Sequence, residues 1–275
     1  MKYFVLDTKN NLLLQVSAEG DCFIPETLPE SIALPEEERC FDMAPKIGEE
    51  GLAFGVGMAA KSQTAVTGEG YSAAVAESQP LPEGYCWISL RDTWNVLAEL
   101  DYLHACRASA WVYWERTNRF CPICGTPLKR HMDMGKKCPG CGAEHFPHLA
   151  PAVIVRISRG EEVLLVHARN FRRPQMYGLV AGFLEGGETL EQCVEREVLE
   201  ETGIRICNIR YFGSQPWPYP SGVMVGFTAD YLSGEVRMDD GELSDARFFR
   251  RDNLPQIPDK MSIARRLIDD WLGVE

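Results

Sequence analysis

The chain has 275 residues, 45% of them hydrophobic and 25% charged, with 40 acidic against 28 basic side chains and a net charge of −12. That is core material enough for one to three globular domains, and it excludes a disordered or collagen-like protein. The acidic balance argues against a broad electrostatic footprint for duplex DNA, so an anionic ligand would need a local cation or a metal.

Residues 1–90 carry short apolar segments such as Tyr3–Leu6 and Leu12–Val16, broken by Pro, Gly and acidic stretches like 35–39, a pattern that predicts a strand-rich, irregular region. Asp7 and Lys9 interrupt the first apolar segment before an exported leader's core can form, and no apolar run approaches the roughly 18 residues of a spanning helix. The expectation is a cytoplasmic chain with no membrane partner. From Ser89 to about Asn118, Trp94, Leu97, Leu100, Leu103, Cys106, Ala110 and Trp114 recur at three- and four-residue spacing, which predicts a helix closing an N-terminal α+β domain over 1–118. A cysteine-rich segment fills 119–149. Beyond it, Val153–Ile157 and Val163–Val166 flank the turn signal Ser158-Arg-Gly160 and predict a hairpin. A helix over 189–202, strands near 208–213, 222–232 and 245–250, and a helix around Ser262–Leu272 complete an α/β domain of mixed sheet over 150–275.

Of ten cysteines, four are clustered: Cys121-Pro-Ile-Cys124 and Cys138-Pro-Gly-Cys141, 13 residues apart. Four thiolates suit one tetrahedral Zn²⁺, and a closed shell leaves no place for substrate, so the expected role is structural. A redox dithiol pair and a disulfide framework are the competing readings, and neither suits a cytoplasmic chain without βαβ surroundings. Lys129, Arg130, Lys136 and Lys137 make this ribbon locally basic, a weak pointer to nucleic acid. His131, His145 and His148 are not needed if the cysteines suffice and read as surface or packing residues. The six scattered cysteines read as reduced small hydrophobes.

The stretch from Gly182 to Ile204 carries its own start and stop signals. Thr189 with Gln192 forms the pattern of a capping box, and Gly203 suits the left-handed residue that ends a helix. Between them Leu190, Cys193, Val194 and Val198 share a packing face, while Glu197, Glu200 and Glu201 fall at i, i+3 and i+4. Three carboxylates so placed repel one another, and a hard divalent cation with oxygen ligands, Mg²⁺ or Mn²⁺, is the natural group to sit among them. Arg196 adjoins the cluster and could orient one of the glutamates; Glu188 precedes the helix and could lean over the same site. The alternative is an ordinary solvated acidic face. The spacing decides between them: Gly182-x5-Glu188-x7-Arg196-Glu197-Val198-x-Glu200-Glu201-x-Gly203-Ile204 arises by chance on the order of once in 10⁶ chains of this length.

That pattern resembles the signature of the Nudix hydrolases without a gap. The resemblance implies an α/β/α sandwich and metal-dependent hydrolysis of a nucleoside diphosphate linked to another group. The metal ligands then fall on Glu197, Glu200 and Glu201, with Glu188 and Arg196 as auxiliary catalytic residues. Downstream, Ser214-Gln-Pro-Trp-Pro-Tyr-Pro220 alternates prolines with aromatics, which predicts a stiff extended segment holding Trp217 and Tyr219 where they can stack on a flat base. Box, array and upstream ribbon together resemble the NADH pyrophosphatase (NudC-type) subgroup, strongly from about Phe120 to Leu272. This implies cleavage of NAD(H) to NMN(H) and AMP, removal of NAD caps from RNA 5′ ends, and a homodimer. By the same resemblance the Ala181 carbonyl and Glu242 join the metal ligands. Substrate contacts fall on Arg91, Asp133, Phe146, Phe183, Gln215, Pro216, Trp217, Pro218, Tyr219, Pro220, Ser221, Gly222 and Ala264. The serine ending the array stands one place early here. Alternatives are a diphosphatase for ADP-ribose or dinucleoside polyphosphates and, from another class, a ribbon-type RNA-binding protein with an inactive Nudix fold.

Overall fold

The computed structural model describes residues 2–7, 9–32, 41–43, 52–56, 81–131, 135–171, 173–238 and 241–274; the acidic stretch 35–39 and Asp133 lie outside them. The chain divides into two compact units, 1–148 and 149–275. No helix of the described residues is long and apolar enough to cross a membrane.

In the first unit the described residues up to Ser89 carry short strands, as their sequence predicts. Strands β1 (Lys2–Leu6), β2 (Asn11–Val16), β3 (Cys22–Phe23), β4 (Phe41–Met43), β5 (Leu52–Val56) and β6 (Tyr85–Ser89) form one sheet in the order β3-β2-β1-β5-β4, with β6 on β2. Period-two alternation gives it two faces: Phe4, Leu6, Leu12 and Leu14 pack toward helix α1 (Glu99–Thr117), while Val5 and Leu13 pack with Ile32 on the other side. The helix starts ten residues later than the periodicity predicts. Ser89 ends β6, and its hydroxyl receives the Asp92 N–H while Thr93 Oγ1 donates to the Leu90 carbonyl, so residues 92–95 form a tight 3₁₀ turn instead. The buried face also differs. Leu100 and Leu103 are exposed, and Tyr102, Ala105, Ala108, Ser109 and Val112 face the sheet, the small residues letting helix and strands approach closely.

The second unit is an α/β/α sandwich. Strands β10 (Ala150–Arg159), β11 (Glu162–Ala168), β12 (Val180–Phe183), β13 (Arg205–Trp217), β14 (Gly222–Ser233) and β15 (Leu243–Arg250) form a mixed sheet in the order β13-β14-β10-β11-β15, with β12 antiparallel to β10; the ribbon's three two-residue strands, β7 (Lys129–Arg130), β8 (Lys136–Lys137) and β9 (Glu144–His145), precede them. The hairpin predicted at Ser158–Gly160 forms, with Gly160 at φ +61°. Alternate residues of β10 and β11 feed opposite layers. Val153, Val155, Leu164 and Val166 pack under α2 (Leu190–Thr202); Ile154, Val163 and Leu165 pack under α3 (Ile263–Leu272). Strands buried on both faces read as continuous apolar runs, as these do. The added strand β12, four residues that the hydrophobic pattern does not announce, delivers residues 181–183 to the start of α2.

Candidate active site and zinc ribbon

Helix α2 begins as its sequence dictates. Gln192 N donates to Thr189 Oγ1 at 3.2 Å and Thr189 N to Gln192 Oε1 at 2.8 Å, closing the capping box, and Gly203 ends the helix at φ +70°. Cys193, Val194 and Val198 are buried beneath it, and this seating fixes the glutamates. They do not share one exposed face: Glu200 stands in solvent, Glu197 is half-buried and Glu201 is 6% exposed. A carboxylate kept from water in this way needs a compensating charge or donors.

The group among the carboxylates is Arg196. Its Nε and Nη2 grip the two oxygens of Glu188 at 3.0 and 2.7 Å, its Nη1 reaches Glu197 Oε1 at 2.8 Å and Glu200 Oε2 at 3.1 Å, and Nη2 also donates to the Phe183 carbonyl at 3.0 Å. The sequence suggests that this arginine orients one glutamate; it holds three. Glu188 also receives the Glu185 N–H at 2.7 Å, and the arginine with this N–H holds its carboxyl down to about 2. Burial instead pushes Glu197 upward against the pull of Arg196, with Glu200 and Glu242 adding to the rise. Glu242, just before β15, therefore acts electrostatically on Glu197 from 45 positions along the chain.

Gly182 explains where Glu197 sits. A Cβ at this position would lie 1.9 Å from Glu197 Cδ and within 2.1 Å of both its oxygens, so only glycine leaves the cradle the carboxylate occupies against β12. Cys193, read from the sequence as a core hydrophobe, is also part of the support: its thiol donates to the Phe183 carbonyl at 3.4 Å and lies 3.6 Å from Arg196 Nη2. Its place three residues before Arg196 on the helix is the signal that could have marked it.

In the ribbon, two knuckles repeat one geometry. Cys121 N donates to Thr126 O and Gly125 N to Cys121 O; Cys138 N donates to Ala143 O and Gly142 N to Cys138 O. Gly125 and Gly142 take positive φ, at +73° and +78°. The four sulfurs lie within 4.8 Å of one another, with Cys121–Cys141 at 3.7 Å and Cys124–Cys138 at 3.4 Å. A tetrahedron of Zn–S bonds has an edge of about 3.8 Å, so the thiols fit zinc. The Thr126 hydroxyl and N–H hold the Cys124 thiol down to about 6, which favours the thiolate. His145, half-buried, brings its Nε2 to 3.6 Å from Cys121 Sγ and packs against the cluster.

Lys136 is not part of a basic surface. It is 2% exposed, its Nζ lies 2.6 Å from Glu115 Oε2 and over the Trp114 ring, and it donates to the Asn118 carbonyl at 2.8 Å. It clamps the ribbon to the end of α1.

The NUDIX domain family matches residues 147–271, and the NADH pyrophosphatase zinc ribbon domain matches residues 116–146. The NAD-capped RNA hydrolase NudC of Pseudomonas aeruginosa (strain LESB58) is 43% identical over 194 residues, covering 69% of this chain and 68% of that protein. The enzyme of the same name from Vibrio cholerae serotype O1 (strain ATCC 39315 / El Tor Inaba N16961) is 46% identical over 187 residues, covering 67% and 68%. The chain belongs to the Nudix hydrolase family. A crystal structure of a NUDIX hydrolase from Nitrosomonas europaea aligns at a TM-score of 0.47 and 26% identity, over 57% of this chain and 94% of that one.

Within the Nudix unit, Phe183 is 65% exposed on β12, one residue after Gly182. Trp217 and Tyr219 pack edge to face at 5.2 Å. The proline array is extended only as far as Trp217, at the end of β13; Pro218 to Ser221 turn back into β14, beginning at Gly222, rather than continuing straight. Pro216 is tolerated because β13 is the sheet's edge. Gln215 is buried, and its amide is directed at the start of α3, where Ala264 is 8% exposed. Ala181 precedes Gly182 on β12, opposite Ile154. Arg91, before the 3₁₀ turn, and Phe146, 44% exposed, belong to the first unit.

Proposed function

We propose that the protein hydrolyses the pyrophosphate of NAD(H) to NMN(H) and AMP and removes NAD caps from RNA 5′ ends, acting in the cytoplasm as a homodimer. Glu197, Glu200, Glu201 and Glu242, with the Ala181 carbonyl, would hold Mg²⁺ or Mn²⁺, and Cys121, Cys124, Cys138 and Cys141 one Zn²⁺. The observation that carries this reading is the adjacency on β12 of Gly182, whose bare Cα seats Glu197, and Phe183, whose ring stands in solvent. A carboxylate cradle beside an aromatic platform suits a diphosphate flanked by a flat ring.

The donor set supports a hard cation: carboxylate oxygens from two distant chain segments act on one another at Glu197, and the bare Gly182 lets that carboxylate seat against β12. Such an ion, when bound, neutralises the pyrophosphate and lowers the pKa of water. The protein's own part is to place the carboxylates. Arg196 fixes Glu188, Glu197 and Glu200 in one hydrogen-bonded frame, so little reorganisation is needed as charge develops on the diphosphate. Phe183, anchored through its carbonyl to Arg196 and Cys193, offers a face for the nicotinamide or a base. The homodimer follows the family resemblance.

Chromatography of NADH incubated with the zinc-loaded protein tests the reading. Release of NMNH and AMP in Mg²⁺ or Mn²⁺, abolished by chelator, is expected; intact NADH alongside turnover of ADP-ribose or a dinucleoside polyphosphate would overturn the substrate assignment.

A further inference from the structure

Gln215 behaves unlike the residues around it in the aromatic array. It is 6% exposed, its Nε2 donates to the Met261 carbonyl at 2.8 Å, and its Oε1 accepts the Ile263 N–H at 2.7 Å. Those two backbone groups flank Ser262, the N-cap of α3. One neutral amide thus satisfies a donor and an acceptor at a buried helix start, a pairing that neither a carboxylate nor a hydrocarbon of the same length reproduces. Ile263 is pressed against the sheet at the same place: a Cβ at Gly226 would lie 2.7 Å from its Cδ1. Two residues along the edge strand from Gln215 stands Trp217, and in a strand residues i and i+2 leave by the same face. An edge strand has a partner on one side only, so it needs such a brace to hold its end at a fixed height.

We infer that Gln215, which the family resemblance counts among the substrate contacts, acts instead as a positioning residue for the reaction: its amide is engaged by Met261 and Ile263, and it sets the stance of Trp217 relative to the start of α3. The inference rests on the diphosphatase reading above and deepens it: preference for a substrate with a flat ring is governed from beneath by a buried amide.

The test is a kinetic cycle with NADH on the zinc-loaded protein, using Gln215→Leu and Gln215→Glu, each alone and combined with Trp217→Ala. Losing both hydrogen bonds in Gln215→Leu raises KM about tenfold, while kcat stays within about twofold because no group at the reacting phosphorus has changed. Gln215→Glu, which keeps an acceptor for the Ile263 N–H, falls between wild type and Leu, and it carries the cycle alone if the Leu variant does not fold. In the Trp217→Ala background neither substitution raises KM further. KM effects that multiply in that background, a parallel fall in kcat, or an unchanged KM would overturn the inference and leave the diphosphatase reading standing. A wild-type protein that leaves NADH intact would overturn both.

Discussion

The Cα of Gly182 and the carboxylate of Glu197 are in such close contact that no side chain fits between them. The clashing atoms are the far end of a flexible side chain, so in Gly182→Ala the carboxylate moves and β12 stays. Expected is a kcat lower by about 100-fold, on the scale of a lost electrostatic contact, with an unchanged circular dichroism spectrum and a melting temperature near that of wild type. A large loss of melting temperature would mean that the strand, not the carboxylate, yields.

Glu201→Gln keeps the shape of a buried residue while removing its charge. It is expected to lose at least about 100-fold in kcat with folding intact. Near-normal kcat in saturating Mg²⁺ would remove Glu201 from the ligand set.

Glu188 and Glu197 respond to acid in opposite ways. Glu188, held down to about 2 by Arg196 and the Glu185 N–H, stays ionised on acidification, so its ion pair contributes in full above the ordinary value of 4.5 and is lost only as pH falls through about 2. Glu197 is raised above 4.5 by burial, so the folded, metal-free chain takes up this proton before the unfolded chain does. Its contribution to stability therefore grows as pH falls toward 4.5, while the proton displaces the cation. Calorimetric titration with Mn²⁺ should show affinity weakening on acidification at a pH above 4.5; an onset below it would contradict the buried setting of Glu197.

Breaking the pair of Glu115 with Lys136 leaves a buried ammonium without its carboxylate. Glu115→Ala is expected to destabilise the first unit by about 3–5 kcal/mol in urea unfolding, and the double variant Glu115→Leu with Lys136→Met to recover most of that loss. Equal losses in both would show that packing, not charge, sets the cost.

Cys138→Ser removes one of four thiolates from a shell whose zinc-binding energy adds directly to folding. Zinc content by atomic absorption and melting temperature are both expected to fall; if neither changes, the cluster is not a zinc site.

The sequence carried most of the site because its signals are local. The capping box, the Gly203 stop and the glutamate spacing lie within 23 residues of one another and depend on helix geometry alone. The parts it did not disclose depend on partners brought near by the fold. That Arg196 occupies the middle of the glutamates requires Glu188 and the Phe183 carbonyl to close around it. That Lys136 is buried requires Glu115, 21 residues earlier. That Gln215 faces the start of α3 requires Ile263, 48 residues later. The start of α1 differs from the periodic pattern for another reason: Trp94 and Leu97 carry the three-residue spacing, but a 3₁₀ turn over 92–95, held by the Ser89 hydroxyl and the Leu90 carbonyl, has that spacing too.

Helix α2 ends with Glu200, Glu201 and Thr202 and has no basic side chain in its last turn. The aligned peptide dipoles place roughly half a negative charge at that end, next to two carboxylates, where a lysine or arginine would ordinarily complement it. Within the helix the charge set against this end comes from Arg196, one turn earlier, which reaches Glu200 at 3.1 Å, and the divalent ion proposed above would add to it. The last turn should accordingly be the part of the helix whose amide exchange slows most when Mg²⁺ or Mn²⁺ is added, and the proposed ion would then stabilise the C-terminal end of the element that holds it.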